Sequence, residues 1–274
     1  MERLINVFGG NGFVGGRFCE LNSNVVRNGR LDYIVSKYTN EVLYFISTID
    51  NYNVHTDPYV DIDTNLTTLI RVLESCKNKN ITFNFISSWF VYGDVELPAK
   101  ETANCDPKGF YSITKRTAEQ LLMSYCDTFN IKYRILRLGN VVGKSDTKVS
   151  KKKNALQYLI NEIKENRPIN LYDGGDLYRD YIHVDDVAQA INLIIKNGKT
   201  NEIYNVANGE KVYLGEALEY VKNKVKSTSE FIPVEIAPFH KIVQTKNMVL
   251  DISKIKALGY TPKYGTYNLL DQLL

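Results

Sequence analysis

The sequence predicts an α/β fold: a doubly wound parallel sheet followed by a smaller C-terminal α/β part. Three observations carry that prediction. Short apolar runs of strand length alternate with longer stretches of helical periodicity, as in successive βαβ units. The first run empties into a cluster of glycines and then into a helix. The chain has 274 residues, 44% of them apolar and 24% charged, so it can bury a large core in one domain or two closely joined ones.

Residues Leu4 to Phe8 read as a short buried strand. They run into Gly9-Gly10-Asn11-Gly12-Phe13-Val14-Gly15-Gly16, and Phe13, Val14 and Phe18 start a helical pattern that reaches about Leu21. Gly9, Gly12 and Gly15 stand at G-x-x-G-x-x-G spacing, a close variant of the dinucleotide fingerprint. In that motif the glycines serve a tight turn, a close approach of backbone to ligand, and helix–strand packing. The helix N-terminus turns free N–H groups and a positive dipole end toward a phosphate. A plain strand–turn–helix is the bland alternative. The context favours cofactor binding through Gly9, Asn11, Gly12, Phe13, Val14 and Gly15.

A second strand is expected near Asn24 to Arg27. Its end chooses between cofactors, because an acid there binds the adenosine ribose and an arginine accepts a 2′-phosphate. Arg27 and Arg30 are present and no acid precedes Asp32. The cofactor is therefore NAD or NADP with a lean to NADP, and two solvated arginines are an equal alternative. The next strand, Val42 to Ser47, arrives early. Leu31 to Asn40 is too short for a β-α unit, so the sheet is trimmed on its adenosine side. Thr48 to Val54 should form a loop at the C-terminal edge of the sheet, where ligands bind.

Asp57 to Lys77 carries Ile62, Leu66, Leu69, Ile70 and Leu73 at helical spacing, with Asn65 among them. Ile81 to Ile86 is a strongly apolar strand that leads into Ser87-Ser88-Trp89-Phe90. Then come Tyr111-Ser112-Ile113-Thr114-Lys115 and a helical pattern through Tyr125. Residues four apart share a helix face, so Tyr111 and Lys115 can enter one pocket. An ammonium beside a phenol favours the phenolate, lowers the Tyr111 pKa and makes it a usable proton acid/base. Y-x-x-x-K alone is common by chance. With the glycine turn upstream and hydroxyls at a strand end between them, it becomes a specific constellation.

These stretches resemble the extended short-chain dehydrogenases, specifically the NAD(P)-dependent nucleotide-sugar epimerase/dehydratase/reductase family. The resemblance rests on VFGGNGFVGG, DTNL around Asn65, ISSWFVYGD around Ser88, YSITK, LRLGNVVG around Asn140 and RDYIHVDDVA from Arg179. It spans essentially the whole chain, in family order. It implies a Rossmann-type cofactor domain over residues 1–142 and 180–207, and a nucleotide-sugar-binding domain over 143–179 and 208–274. It also implies a catalytic trio: Ser88 binding a sugar oxygen, Tyr111 exchanging its proton, and Lys115 binding the nicotinamide ribose. Thr48 joins the cofactor contacts. Asn65, Ser88, Asn140, Arg179 and Lys241 would bind substrate, Arg179 pairing with a diphosphate by its guanidinium fork. Relatives often dimerise through the Tyr111 helix and the helix from Asp57, so the resemblance implies a homodimer.

Departures narrow the reaction. Trp89 and Phe90 stand where dehydratases of the family carry an Asp-Glu pair, and neither transfers a proton. A cysteine that moves a carbon-bound proton is absent at Phe90. What remains needs only hydride transfer and Tyr111. A sugar C4 epimerase is the first reading and an NADPH-dependent 4-keto reductase the alternative. A non-catalytic dinucleotide sensor is a third, disfavoured because Tyr111 and Lys115 are both kept. His183 is read as a packing residue, and Lys151 to Lys153 as a solvated run.

The net charge of +3 is too small to argue for nucleic acid or a membrane surface. No apolar run reaches the length of a membrane span, and no secretory leader opens the sequence. Cys19, Cys76, Cys105 and Cys126 are widely spaced, as in reduced cytoplasmic proteins without a disulfide or metal framework.

Overall fold

The computed structural model describes residues 4–29, 31–147, 149–150 and 153–274. The chain opens with β1 (Ile5–Phe8), α1 (Phe13–Leu21), β2 (Val25–Arg27) and β3 (Glu41–Tyr44). It continues through α2 (Tyr59–Ile62), α3 (Thr68–Glu74), β4 (Thr82–Ser88), α4 (Phe110–Thr128) and β5 (Lys132–Leu138). There follow β6 (Asn140–Val142), α5 (Ala155–Lys164), β7 (Ile169–Tyr172), β8 (Tyr178–Arg179), β9 (Tyr181–His183), α6 (Val184–Asn197) and β10 (Glu202–Val206). The last part holds β11 (Val212–Tyr213), α7 (Leu214–Val225), β12 (Phe231–Val234), α8 (Pro238–Val243), α9 (Ser253–Lys256) and α10 (Thr266–Leu273).

Six strands form one sheet in the order β10-β5-β4-β3-β1-β2, and every pair in it is parallel. The inner strands β1, β3, β4 and β5 are buried along nearly their whole length, as strands covered on both faces are. On one face Phe18, Ile86, Val187, Ile191 and Ile194 join α1 and α6 to the sheet. On the other, Leu69, Leu73, Phe83, Leu122 and Ile135 seat α3 and α4. A third cluster, with Leu156, Ile160, Leu171, Leu218 and Leu270, gathers α5, β7, α7 and α10. There β12 pairs with β7, β11 with β8, and β6 with β9.

The adenosine side is trimmed. β2 is the edge strand, and 31–40 contain neither strand nor helix. Two buried asparagines hold this connection where a β-α unit would otherwise lie. Asn6 Oδ1 accepts from Ser36 N at 2.7 Å, and Asn28 Nδ2 donates to Ile34 O at 3.0 Å. Val35 then plugs the second core at 1% exposure.

The stretch expected as one helix from Asp57 to Lys77 is broken. α2 and α3 are separated by a π-helical turn over Asp63–Thr67, with Asn65 buried inside it. Such a turn widens the helix by one residue, and here it lets Asn65 reach sideways to the sheet. The strand expected to reach Ser47 stops at Tyr44, which frees Phe45 to Asp50 to bend over the sheet edge. His183 caps α6, its Nδ1 accepting from Asp185 N at 3.2 Å. No helix among the described residues is long and apolar enough to cross a membrane.

Candidate active site

All six strands of a parallel sheet end on one side, and their exits build the site. The turn after β1 is dictated by glycine. Gly9 takes φ +82°, and a Cβ on Gly15 would lie 2.5 Å from the Gly9 carbonyl oxygen. Gly12 precedes α1 in extended conformation, with no side chain capping the helix. Its first-turn N–H groups therefore face outward, as an anion requires. The residues present fit a dinucleotide pyrophosphate.

This turn lines a cleft of about 1390 Å³, above the usual size of a single-ligand pocket. Asn11, Phe13, Val14, Arg27 and Thr48 line it with the glycines. So do Ser88, Tyr111 and Lys115, and farther along Asn140, Arg179 and Lys241. The structure thus gathers every nominated residue except Asn65 around one space. Arg30, Lys151 and Lys152 lie outside the described residues.

Asn65 is 2% exposed and its amide is fully used inside the protein. Its Oδ1 accepts from Ser47 Oγ at 3.0 Å and Thr48 N at 2.9 Å. Its Nδ2 donates to Thr48 Oγ1 at 2.8 Å and Thr114 Oγ1 at 2.9 Å. No amide atom is left for a substrate. Asn65 instead ties the loop after β3 to α4.

Ser88 ends β4. Its oxygen accepts from Phe90 N at 3.3 Å, which leaves the hydroxyl proton free for a ligand or for Tyr111. Tyr111 begins α4, its own N–H donating to Asn51 Oδ1 at 3.0 Å, and the Phe90 ring stands edge-on to it at 5.8 Å. Lys115, one turn on, donates to Ile86 O at 2.8 Å and lies over the Phe85 ring at 4.3 Å.

The electrostatics correct one expectation. Burial pulls the Lys115 ammonium down to about 7. Burial also pushes the Tyr111 phenol above its ordinary value, with Ser88 and Ser47 pulling it back and the carboxyls of Asp61 and Asp50 pushing it farther. Desolvation therefore sets the direction for both groups, and Lys115 does not bring Tyr111 down as expected.

Arg179 marks the far end. Its guanidinium donates to the carbonyls of Tyr178 at 3.0 Å, Thr245 at 2.7 Å and Lys246, and stacks over Trp89 at 5.3 Å. Among the described residues no carboxylate pairs with it, and burial pulls it below its ordinary value. A half-buried cation held by carbonyls and one ring face, with no carboxylate on it among the described residues, is suited to receive an anion. Asn140 is held beside it, donating through both its N and Nδ2 to Asp180 O.

Sequence reasoning missed the loop residues Ser47 and Asp50 to Tyr52, and also Tyr172 and His240. Tyr52 and His240 hydrogen-bond to each other across the cleft, and Tyr172 packs edge-on to His240 at 5.1 Å. None sits in a motif. Only the position of the loop at the sheet's C-terminal edge hinted at its share.

The chain is similar to known proteins in sequence and in fold. The uncharacterized UDP-glucose epimerase YtcB of Bacillus subtilis (strain 168) is 30% identical over 227 residues, covering 80% of this chain and 68% of the relative. The UDP-glucose 4-epimerase of Thermus thermophilus in complex with NAD superposes with a TM-score of 0.81 at 24% identity, covering 98% of each chain. RMD from Pseudomonas aeruginosa complexed with NADPH gives 0.84 at 20% identity, covering 100% of this chain and 98% of the other. Residues 22–207 match the NAD dependent epimerase/dehydratase family, and with the glycine turn, the parallel sheet and the shared cleft this leads to one conclusion: the chain belongs to that family.

Proposed function

We propose that the protein is an NAD(P)-dependent nucleotide-sugar epimerase that works by reversible hydride transfer at the sugar C4. One observation carries the reading: Tyr111 and Ser88 stand in the same cleft between the glycine turn and the unpaired Arg179. A dinucleotide and a sugar diphosphate can lie there end to end, with the sugar at the tyrosine.

Gly9 to Gly15 and the start of α1 would hold the cofactor pyrophosphate. Lys115 would meet the ribose of its nicotinamide, which when bound supplies and takes back a hydride. Tyr111 accepts the proton of the sugar hydroxyl on oxidation and returns it on reduction. Ser88 donates its free proton to the same oxygen and fixes the reacting carbon. Arg179 grips the diphosphate. Trp89 and Phe90, stacked at 3.9 Å, wall the sugar from water and offer no further acid or base. That favours a reaction without elimination.

An alternative is a 4-keto reductase using NADPH. A specific observation favours it: β2 ends in Arg27, which lines the cleft where a 2′-phosphate would lie. Denaturing the purified protein and assaying the released dinucleotide separates the two. Stoichiometric NAD is expected for an epimerase, which keeps its cofactor through the cycle. A cofactor-free protein that binds NADPH more tightly than NADH makes it the reductase. In either case Tyr111→Phe is expected to lower turnover of the UDP-sugar by at least about 100-fold with the fold intact. Full activity would remove Tyr111 from the mechanism.

A further inference from the structure

Two walls of the cleft meet at a pair of side chains that no step of the proposed reaction uses. Tyr52 stands in the loop after β3, and His240 stands on α8. The Tyr52 hydroxyl and His240 Nε2 hydrogen-bond to each other, and both residues line the cleft. Aromatic rings gather around that bond. Phe239 packs against Tyr52 at 5.3 Å and against His55 at 4.5 Å. Tyr172, the last residue of β7, meets His240 edge-on at 5.1 Å.

The neighbours of the pair fix its place along the cleft. Asn51, one residue before Tyr52, accepts from the Tyr111 N–H at 3.0 Å. Gly109, just ahead of Tyr111, packs between that loop and α8. A Cβ on it would lie 2.5 Å from Asn51 Oδ1 and 2.9 Å from Val243 Cβ. At the other end, Thr245 and Lys246 follow α8 and supply carbonyls that hold Arg179. The loop with Tyr52 is therefore joined to the start of α4, and the segment with His240 runs from that junction to the guanidinium. The Tyr52–His240 bond flanks the stretch between Tyr111 and Arg179, which in the proposed reading holds the sugar.

We propose that Tyr52 and His240 form a wall of the sugar subsite, their mutual hydrogen bond holding the rings against the hexose so that its reacting carbon stays at Tyr111. The chemistry fits that place. With the hydroxyl and Nε2 turned to each other, the pair shows the cleft mainly ring surface. A hexose ring has a face made mostly of C–H groups, and that face is buried favourably on an aromatic wall while the hydroxyls point elsewhere. The two residues bind and position the sugar and move no proton. The proposal rests on the nucleotide-sugar reading and deepens it, since it gives the pair the hexosyl part of the ligand and not the nucleotide.

The test is titration calorimetry of the full chain with UDP and with UDP-glucose, in a Tyr111→Phe background that stops turnover. UDP alone reports the nucleotide, and the ratio of the two affinities reports the sugar. Adding Tyr52→Ala is expected to lower UDP-glucose affinity at least about threefold relative to UDP, roughly the worth of one ring face. Tyr52→Phe keeps the ring and loses the bond. It serves as the second variant if the first fails to fold, with the same shift expected. A merely structural role would weaken both ligands together and leave the ratio where it was. A smaller shift of the ratio in a folded variant overturns the proposal. Failure of the nucleotide-sugar reading is a separate result: the background protein binds neither ligand, and the sugar wall falls with that reading.

Discussion

Lys115 is a cation with almost no water. It is 2% exposed, it touches one carbonyl and one ring face, and burial, against the pull of the Glu119 carboxylate, moves its pKa from 10.5 to about 7. The folded-state value lies below the unfolded one. Between pH 7 and 10.5 the unfolded chain therefore binds more protons, and stability rises with pH across that window. Lys115→Met is accordingly expected to abolish turnover while stabilising the fold by about 2–4 kcal/mol at pH 7. The gain should shrink toward zero near pH 10. Urea unfolding of both proteins at pH 7, 8.5 and 10 checks it, and a gain constant across that range would mean that the lysine's charge is not its source. The cation is retained at a cost to stability, as at many functional sites.

At the scale of elements, α4 matters most because it carries Tyr111 and Lys115 on the side that meets the sheet. Glu119, two turns on from Tyr111, pins it from below. Its carboxylate accepts from Arg137 Nε at 3.0 Å and Nη2 at 2.8 Å, from Ser87 Oγ at 2.6 Å and from Arg116 at 2.7 Å. Burial would raise this carboxyl, but those bonds hold it below the usual carboxylate range. Removing one partner leaves the Arg137 charge buried, so Glu119→Ala is expected to cost about 3–5 kcal/mol, read as a fall in the urea midpoint. A loss under about 1 kcal/mol would mean that water replaces the carboxylate. None of this was legible in the sequence, where Glu119 is one acid in a helical pattern. Central strands were legible, because apolar runs such as Ile81 to Ile86, which falls in β4, are set by local composition. So were the glycine turn and the Tyr–Lys pair, whose spacing is their geometry. Asn65 stood in a motif that resemblance gave to substrate, yet its partners Ser47, Thr48 and Thr114 come from other elements. The Tyr52–His240 pair and the Tyr111 pKa were illegible for the same reason. Both depend on what the fold brings together.

For the whole molecule, β8 is the joint between the sheet and the last third of the chain. Arg179 turns one way, into the cleft, and is held by the carbonyls of Thr245 and Lys246. Asp180 turns the other way and accepts from Asn208 N at 2.9 Å, Gly209 N at 3.0 Å and Leu250 N at 3.2 Å. Burial pushes this carboxyl up to about 7 against those three donors. Two adjacent residues thus divide the work: Asp180 gathers the C-terminal segments, and Arg179 is left unpaired over the space they enclose. If that division is right, binding and folding separate at position 179. Arg179→Ala removes a desolvated cation without a carboxylate, so the urea midpoint should stay level or rise. Its affinity for UDP, measured by titration calorimetry, should fall about 10–100-fold, the worth of a charge-assisted fork on a diphosphate. NAD(P) affinity should not move, because the glycine turn lies at the other end of the cleft. Arg179→Lys should recover part of the UDP affinity, since the charge returns without the fork. A UDP affinity within about threefold of wild type in Arg179→Ala would place the diphosphate elsewhere and leave the nucleotide-sugar reading without its anchor.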